Sequence, residues 1–246
     1  MDIIFISYKE PNAEVNYQDL LSKFPHAKRV HGVTGIYEAY YAASKLNESD
    51  CFITVDGDTV VWDNLRDMEL NFTNDNQLIR YPTRNSILGS IDASGSIKCW
   101  TKNTFNYITK DNFNKNLEWY RCDNIEQTDG NVCVGETVIN SSTYQAFCAG
   151  FREAFKTHSL FGESRINYTL SWCVKRDVKN GKSSAFGARL GFLYAMDNKI
   201  SLVDVNNFEF LKELFTDSDI ENYTNVTDEL KEKLYQKQYI INKRKC

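Results

Sequence analysis

Two aspartates close an apolar run at residues 51–58, where Cys-Phe-Ile-Thr-Val leads into Asp56-Gly57-Asp58. Carboxylates held one residue apart raise each other's pKa unless a cation compensates them. Mg²⁺ and Mn²⁺ favour hard oxygen donors and commonly bridge carboxylates to substrate phosphates. Gly57 carries no side chain, so a diphosphate can approach its backbone. The spacing alone is equally that of an acidic turn, and both readings stand at this point. An EF-hand is excluded, because the residues after Asp58 are apolar and lack the required glycine and closing glutamate. A second triplet, Asp217-Ser218-Asp219, follows one helical pattern and opens another, so it reads as helix termination and capping.

The remaining constellations are poorer. "NGKSS" holds Gly-Lys-Ser but has no first P-loop glycine and follows no strand. No Gly-x-Ser-x-Gly elbow occurs, and the three histidines, His26, His31 and His158, are too scattered for a zinc hydrolase. His158 falls at a helix end, where it is either a cap or an additional metal ligand. The seven cysteines are odd in number and show no Cys-x-x-Cys pair, and several sit in apolar runs as small hydrophobes. That usage fits a reducing, cytoplasmic compartment, the host cytoplasm if the source is a virus.

The acidic pair needs elements to hold it. "IIFIS" at 3–7 reads as a strand, 13–24 as a helix with Val15, Leu20, Leu21 and Phe24 on one face, and 27–33 as a second strand. The segment 34–46 reads as a second helix with Thr34 as its N-cap and Ile36, Tyr40, Ala43 and Leu46 in one stripe. Strand, helix, strand, helix, strand predicts a parallel sheet with right-handed crossovers. Ligands bind such sheets beyond the carboxyl ends of the strands. "SYKEPN", "HGVTG" and "DGD" all fall at that edge. Residues 78 to about 145 read as short strands broken by Gly, Ser and Asn. A helix follows with Phe147, Phe151, Ala154 and Phe155 in a stripe beside Arg152, Glu153 and Lys156; 165–176 is another, and the end from about 204 predicts two amphipathic helices.

The chain has 246 residues, of which 42% are apolar and 25% charged, enough for one large α/β domain with a helical appendage. A net charge of -4 argues against coating nucleic acid nonspecifically, though "KRDVKNGKSSAFGAR" and "NKRKC" concentrate basic residues. Aromatics reach 13%, which serves a core or a stacking surface. The start "MDIIFISYKEP" has no signal-peptide pattern, and no segment reaches membrane-spanning length, so no membrane insertion is expected.

"FISYKEPNAEVNYQDLLSKFPHAKRVHGVTGIYEAYYAASKL", followed by "FITVDGD", resembles the GT-A glycosyltransferases of a branch common in tailed bacteriophages. In that branch Ser-Tyr-x-Glu-Pro-Asn, Phe-Pro-x-Ala-x-Arg-Val-x-Gly-Val and Val-Asp-Gly-Asp occur in this order. "RYPTRN", "SGSIK", "FCAGFREAFK" and "FGARLG" match more loosely, and the last fifty residues hardly at all. The resemblance implies a GT-A-like (Rossmann-like) α/β fold, a mostly parallel sheet flanked by helices, to which the residue pattern adds C-terminal helices. It implies a transferase domain over 1–200, divided into a nucleotide-binding half at 1–70 and an acceptor-side half at 71–200; the pattern gives a helical segment at 201–246 packed on it.

By the same resemblance the donor is a nucleotide-sugar, with UDP the expected carrier, and the cofactor is Mn²⁺ or Mg²⁺. Asp58 would be the principal metal ligand, and Asp56 would contact the ribose or share the metal beside Gly57. Ser7, Tyr8, Glu10 and Pro11 would line the nucleoside pocket, with Arg29 and His31 at the second strand's end. Arg84, Lys98 and Arg189 would meet the diphosphate or acceptor. An inverting enzyme also needs a carboxylate base; Glu153 is the first candidate, with Glu136 and Asp92 behind it and a helix ion pair as its alternative. The expected acceptor is hydroxymethylcytosine in double-stranded phage DNA, held by the basic stretch 175–189, or else a glycan or surface molecule. Rival readings are a sugar-phosphate nucleotidyltransferase, against which "SYKEPN" lacks the glycine-rich loop, and a non-catalytic nucleotide-binding module.

Overall fold

The computed structural model describes residues 1–68, 70–116, 119, 122, 125–174, 176–202, 204–215 and 223–243. Asp217-Ser218-Asp219, Lys175 and the last three residues of the basic tail lie outside them. The chain forms two compact units, Met1–Ile139 and Asn140–Cys246.

The first unit opens with the expected alternation. Strand β1 (Asp2–Ser7) is followed by helix α1 (Ala13–Lys23), β2 (Lys28–His31), α2 (Ile36–Leu46) and β3 (Cys51–Asp56). Strands β1 and β2 pair in parallel, as do β1 and β3, giving the order β2-β1-β3 that two crossover helices produce. Helix α2 begins one residue later than the Thr34 cap requires. Gly35 occupies the cap position at φ 100°, a backbone region open to glycine, and offers no side-chain cap.

The sheet continues through β4 (Thr59–Val61), β5 (Gln77–Asn85), β6 (Ile91–Thr101), β7 (Glu126–Asp129) and β8 (Gly135–Thr137). Its order is β2-β1-β3-β6-β5-β8-β4, with β7 also on β5. Four pairings are parallel (β1–β2, β1–β3, β5–β7, β5–β8) and three antiparallel (β3–β6, β5–β6, β4–β8). The fold is therefore α/β with a mostly parallel mixed sheet flanked by helices.

Strand periodicity divides the core into two faces. Ile3, Phe5, Ile53, Val55, Ile97 and Cys99 form one cluster with Leu20 of α1. On the other face Phe52 and Trp100 meet Tyr40 of α2, Phe105 of α3 (Thr104–Tyr107) and Trp119, with Phe113 of α4 (Lys110–Asn116) stacked on Trp119. These aromatics serve as core.

The second unit is helical: α5 (Thr143–Phe161), α6 (Ile166–Cys173), α7 (Gly181–Met196), α8 (Phe208–Glu213) and α9 (Tyr223–Lys243). The last two are the expected C-terminal helices. No described helix is long and apolar enough to cross a membrane, and the described cysteines carry free thiols.

Candidate functional site

The carboxyl ends of β1, β2 and β3 lie side by side, with Ser7 opposite His31 and Ile6 opposite Asp56. This register brings most of the sequence candidates of the first unit to one edge. Arg29 donates from Nε to Ser7 Oγ at 3.0 Å, and Ser7 Oγ lies 3.0 Å from His31 Nδ1. The serine oxygen accepts from the arginine and shares a further hydrogen bond with the His31 ring, which lies at the exposed strand end. Arg29 is fixed further by Glu14, at 2.6 Å, and by the Tyr17 ring, 4.8 Å from its guanidinium carbon.

The loop after β1 folds back on itself. Glu10 Oε2 accepts the Tyr8 backbone N–H at 2.7 Å, and Pro11 lies exposed in the turn before α1. Gly57 is buried against this loop: a Cβ there would stand 2.8 Å from Glu10 Oε2 and 3.0 Å from Ser7 Cβ. The Gly57 carbonyl accepts from Asn16 Nδ2 of α1 at 3.0 Å. The acidic tip is thus held from below by a helix residue and from the side by the first loop.

Asp56 and Asp58 have different surroundings. On β3 the alternation places Phe52, Thr54 and Asp56 on the α2 face. On β6, Lys98 lies directly opposite Thr54, so it is diagonal to Asp56 and on the same face. Lys98, 5% exposed, sits 3.6 Å from Asp56 Oδ2 and donates to the Tyr40 hydroxyl. Tyr40, reaching in from α2, donates to Asp56 Oδ1. Burial, and then the charges of Asp56 and Asp58, push the Tyr40 phenol well above its ordinary value, so it remains a proton donor. Gly95, at φ +87°, lets the β6 backbone pass Lys98, whose Cε would lie 3.3 Å from a Cβ there. Asp58 begins the turn into β4, its Oδ1 3.3 Å from Thr59 Oγ1 and its carbonyl accepting from Val138 N at 2.7 Å.

The donor set fits a hard divalent cation: two half-buried carboxylates on a rigid strand tip with a side-chain-free residue between them. Among the described residues no three His, Cys, Asp or Glu side chains form a metal-holding group. A cation here would therefore complete its shell with substrate oxygens and water.

The other candidates lie on other elements. Arg84 is exposed on β5, opposite Ile91 and Glu136. Asp92 accepts from Ser90 Oγ at 3.2 Å. The remaining three belong to the second unit. Glu153 on α5 pairs with Lys156 at 2.8 Å. Burial pushes its carboxyl up, but Lys156 and then Arg152 outweigh this and hold it below its ordinary value. His158 packs its ring on Phe192 at 4.8 Å, and Gly162 N–H caps its carbonyl. Arg189 donates to the Cys173 carbonyl at 2.8 Å and to Thr227, which joins α6, α7 and α9.

Sequence reading missed Tyr40 and Asn16. Tyr40 reads as one more apolar member of the α2 stripe, and Asn16 as a polar residue on a helix surface. The signal for Asn16 is its place one turn before the buried Leu20, on the same face.

No family model matches the chain, and no curated protein matches its sequence. Several solved structures are similar in part, among them the following two. One is described as a glycosyltransferase involved in glycosylation of the major capsid of PBCV-1; it shares 10% identity at a TM-score of 0.35, over 58% of this chain and 95% of that one. The other is TarS of S. aureus, residues 1–349, with 11% identity and a TM-score of 0.39, over 94% of this chain and 92% of that one.

Proposed function

We propose that the chain is a metal-dependent glycosyltransferase that moves a sugar from a nucleotide-sugar, with UDP as carrier, to an acceptor hydroxyl. The observation that carries this reading is the convergence of Ser7, Glu10, Arg29, His31, Asp56, Gly57 and Asp58 at the carboxyl ends of three adjacent strands. The same residues carry the sequence resemblance.

Asp58 would hold the cation, and Asp56, fixed by Tyr40 and Lys98, would accept from the ribose. Bound Mn²⁺ or Mg²⁺ offsets the charge that builds on the departing diphosphate. Tyr8, Glu10 and Pro11 would frame one side of the nucleoside, and the exposed His31 ring the other. By the resemblance Glu153, which Lys156 holds at 2.8 Å, would be the acceptor's base. The proposed acceptor is hydroxymethylcytosine in double-stranded DNA. Lys179 and Lys182 are exposed beside the start of α7, whereas Arg176 and Arg189 turn to backbone carbonyls.

Calorimetric titration with Mn²⁺ and UDP tests the donor site. The wild type binds UDP with Mn²⁺ present, and Asp58→Ala loses at least about tenfold in that affinity. Equal binding by Asp58→Ala would refute the assignment. Sugar release from a nucleotide-sugar panel, with and without hydroxymethylcytosine DNA, tests the acceptor. Release unaffected by that DNA would direct the search to glycans.

A further inference from the structure

Asp56 and Asp58 are not an equivalent pair. Both oxygens of Asp56 are engaged from inside the protein, Oδ1 by the Tyr40 hydroxyl and Oδ2 by the Lys98 ammonium at 3.6 Å. Lys98 is 5% exposed, also donates to Tyr40, and stands 4.5 Å from the Tyr40 ring centre. Three elements, α2, β3 and β6, thus converge on one carboxylate. Burying an ammonium is costly unless it is paired, so Lys98 is a built-in counter-ion at the tip. With it, Asp56, Asp58 and Lys98 together carry one net negative charge.

We infer that Tyr40 and Lys98 are positioning residues that hold Asp56 as a hydrogen-bond acceptor and neutralise its charge, so that the tip binds a divalent cation tightly only together with a nucleoside diphosphate. This rests on the donor-site reading above and adds a binding order to it. A cation arriving alone meets Asp58 and a carboxylate already matched by an ammonium. A cation arriving with a diphosphate brings further hard oxygens and negative charge, which suits both the metal and Lys98. The arrangement keeps the site from filling with free metal when no donor is present.

The discriminating quantity is affinity for Mn²⁺ alone, because structural damage lowers metal affinity whereas removal of a competing cation raises it. Calorimetry or Mn²⁺ electron paramagnetic resonance would be run on the wild type, Lys98→Met and Tyr40→Phe, each first checked for a native melting transition. Wild type is expected to bind Mn²⁺ weakly alone and much more tightly with UDP present. Lys98→Met is expected to bind Mn²⁺ alone at least about tenfold more tightly, since a unit charge a few ångströms away is removed. The gain from UDP shrinks correspondingly. Tyr40→Phe shifts the same way by a smaller factor, and it decides the matter if Lys98→Met does not fold.

Binding of Mn²⁺ alone that is unchanged or weaker in the folded variants would overturn the inference while leaving the donor site intact. Failure of the wild type to bind Mn²⁺ even with UDP would overturn the donor-site reading, and this inference with it.

Discussion

Asn16 and Gly57 brace the acidic tip after β3. The Asn16 amide is 5% exposed and donates to the Gly57 carbonyl, so Asn16→Ala leaves a buried acceptor without that partner. The expected cost is about 1–3 kcal/mol in urea unfolding, with weaker UDP–Mn²⁺ binding because the aspartates on either side lose their support. Gly57→Ala is the complementary case. Its Cβ meets the movable end of Glu10 at 2.8 Å but also the fixed Ser7 Cβ at 3.0 Å. Folding should survive with a modest drop in melting temperature, while UDP–Mn²⁺ affinity falls because the added methyl pushes the Ser7–Glu10 loop away from the acidic tip. Full affinity in Gly57→Ala would show that the packing of this loop on the tip does not shape the binding site. The aspartates and Gly57 were legible because they interrupt an apolar strand. Lys98 came only through the resemblance, since a lysine two residues from a tryptophan in "SIKCW" reveals its partner only once strand register is known.

Among elements, the β2-β1-β3 block was legible from periodicity alone, because buried parallel strands read as apolar runs and their crossover helices as stripes. The segment holding β5 to β8 was legible as short strands, but its pairings were not, since they join residues far apart, such as Thr59 with Thr137 and Arg84 with Glu136. The α5–α7 contact was equally hidden in single-helix patterns. Phe147 lies against Gly187 and Phe151 against Gly191, so the two helices run side by side in the same direction. A Cβ on Gly187 would stand 2.2 Å from the Phe147 carbonyl oxygen, and one on Gly191 2.3 Å from that of Phe151. These obstacles are backbone and cannot rotate away. Gly187→Ala and Gly191→Ala should each destabilise by about 1–3 kcal/mol or more, as overpacking does, read as a lowered urea midpoint. Wild-type midpoints in both would mean that the helices can separate at no cost.

At the scale of the whole chain, the division between the two compact units falls after Ile139. Its signal is a helix start: Ser142 accepts from Gln145 N–H at 3.1 Å while Gln145 Oε1 accepts from Ser141 N–H at 3.0 Å, a variant of the capping box. Both units share one electrostatic property. Asp2 accepts the Glu48 N–H at 2.7 Å and faces Lys28 at 3.4 Å; these contacts outweigh its burial and lower its pKa from 3.8. Glu38 is likewise lowered from 4.5, Lys110 outweighing burial. In the second unit Asp204 is lowered by Ser201, through its hydroxyl at 2.7 Å and its N–H at 2.9 Å, and Asp197 by Lys233. For a carboxylate whose folded pKa lies below its unfolded value, the stabilisation is complete above the unfolded value and disappears as pH falls through the folded one. The melting temperature should therefore hold steady at and above about pH 6 and fall from roughly pH 5 to pH 3. Adding 1 M salt, with a Debye length of roughly 3 Å, should blunt the ion pairs at Lys28 and Lys233 but spare the Ser201–Asp204 hydrogen bonds. Asp204→Asn should flatten part of the acid limb in high salt as well as low, whereas Asp2→Asn should flatten it mainly in low salt. A melting temperature that rises between pH 5 and pH 3 would reverse the sign of every one of these contacts, and the assignment of paired carboxylates in both units would fall with it.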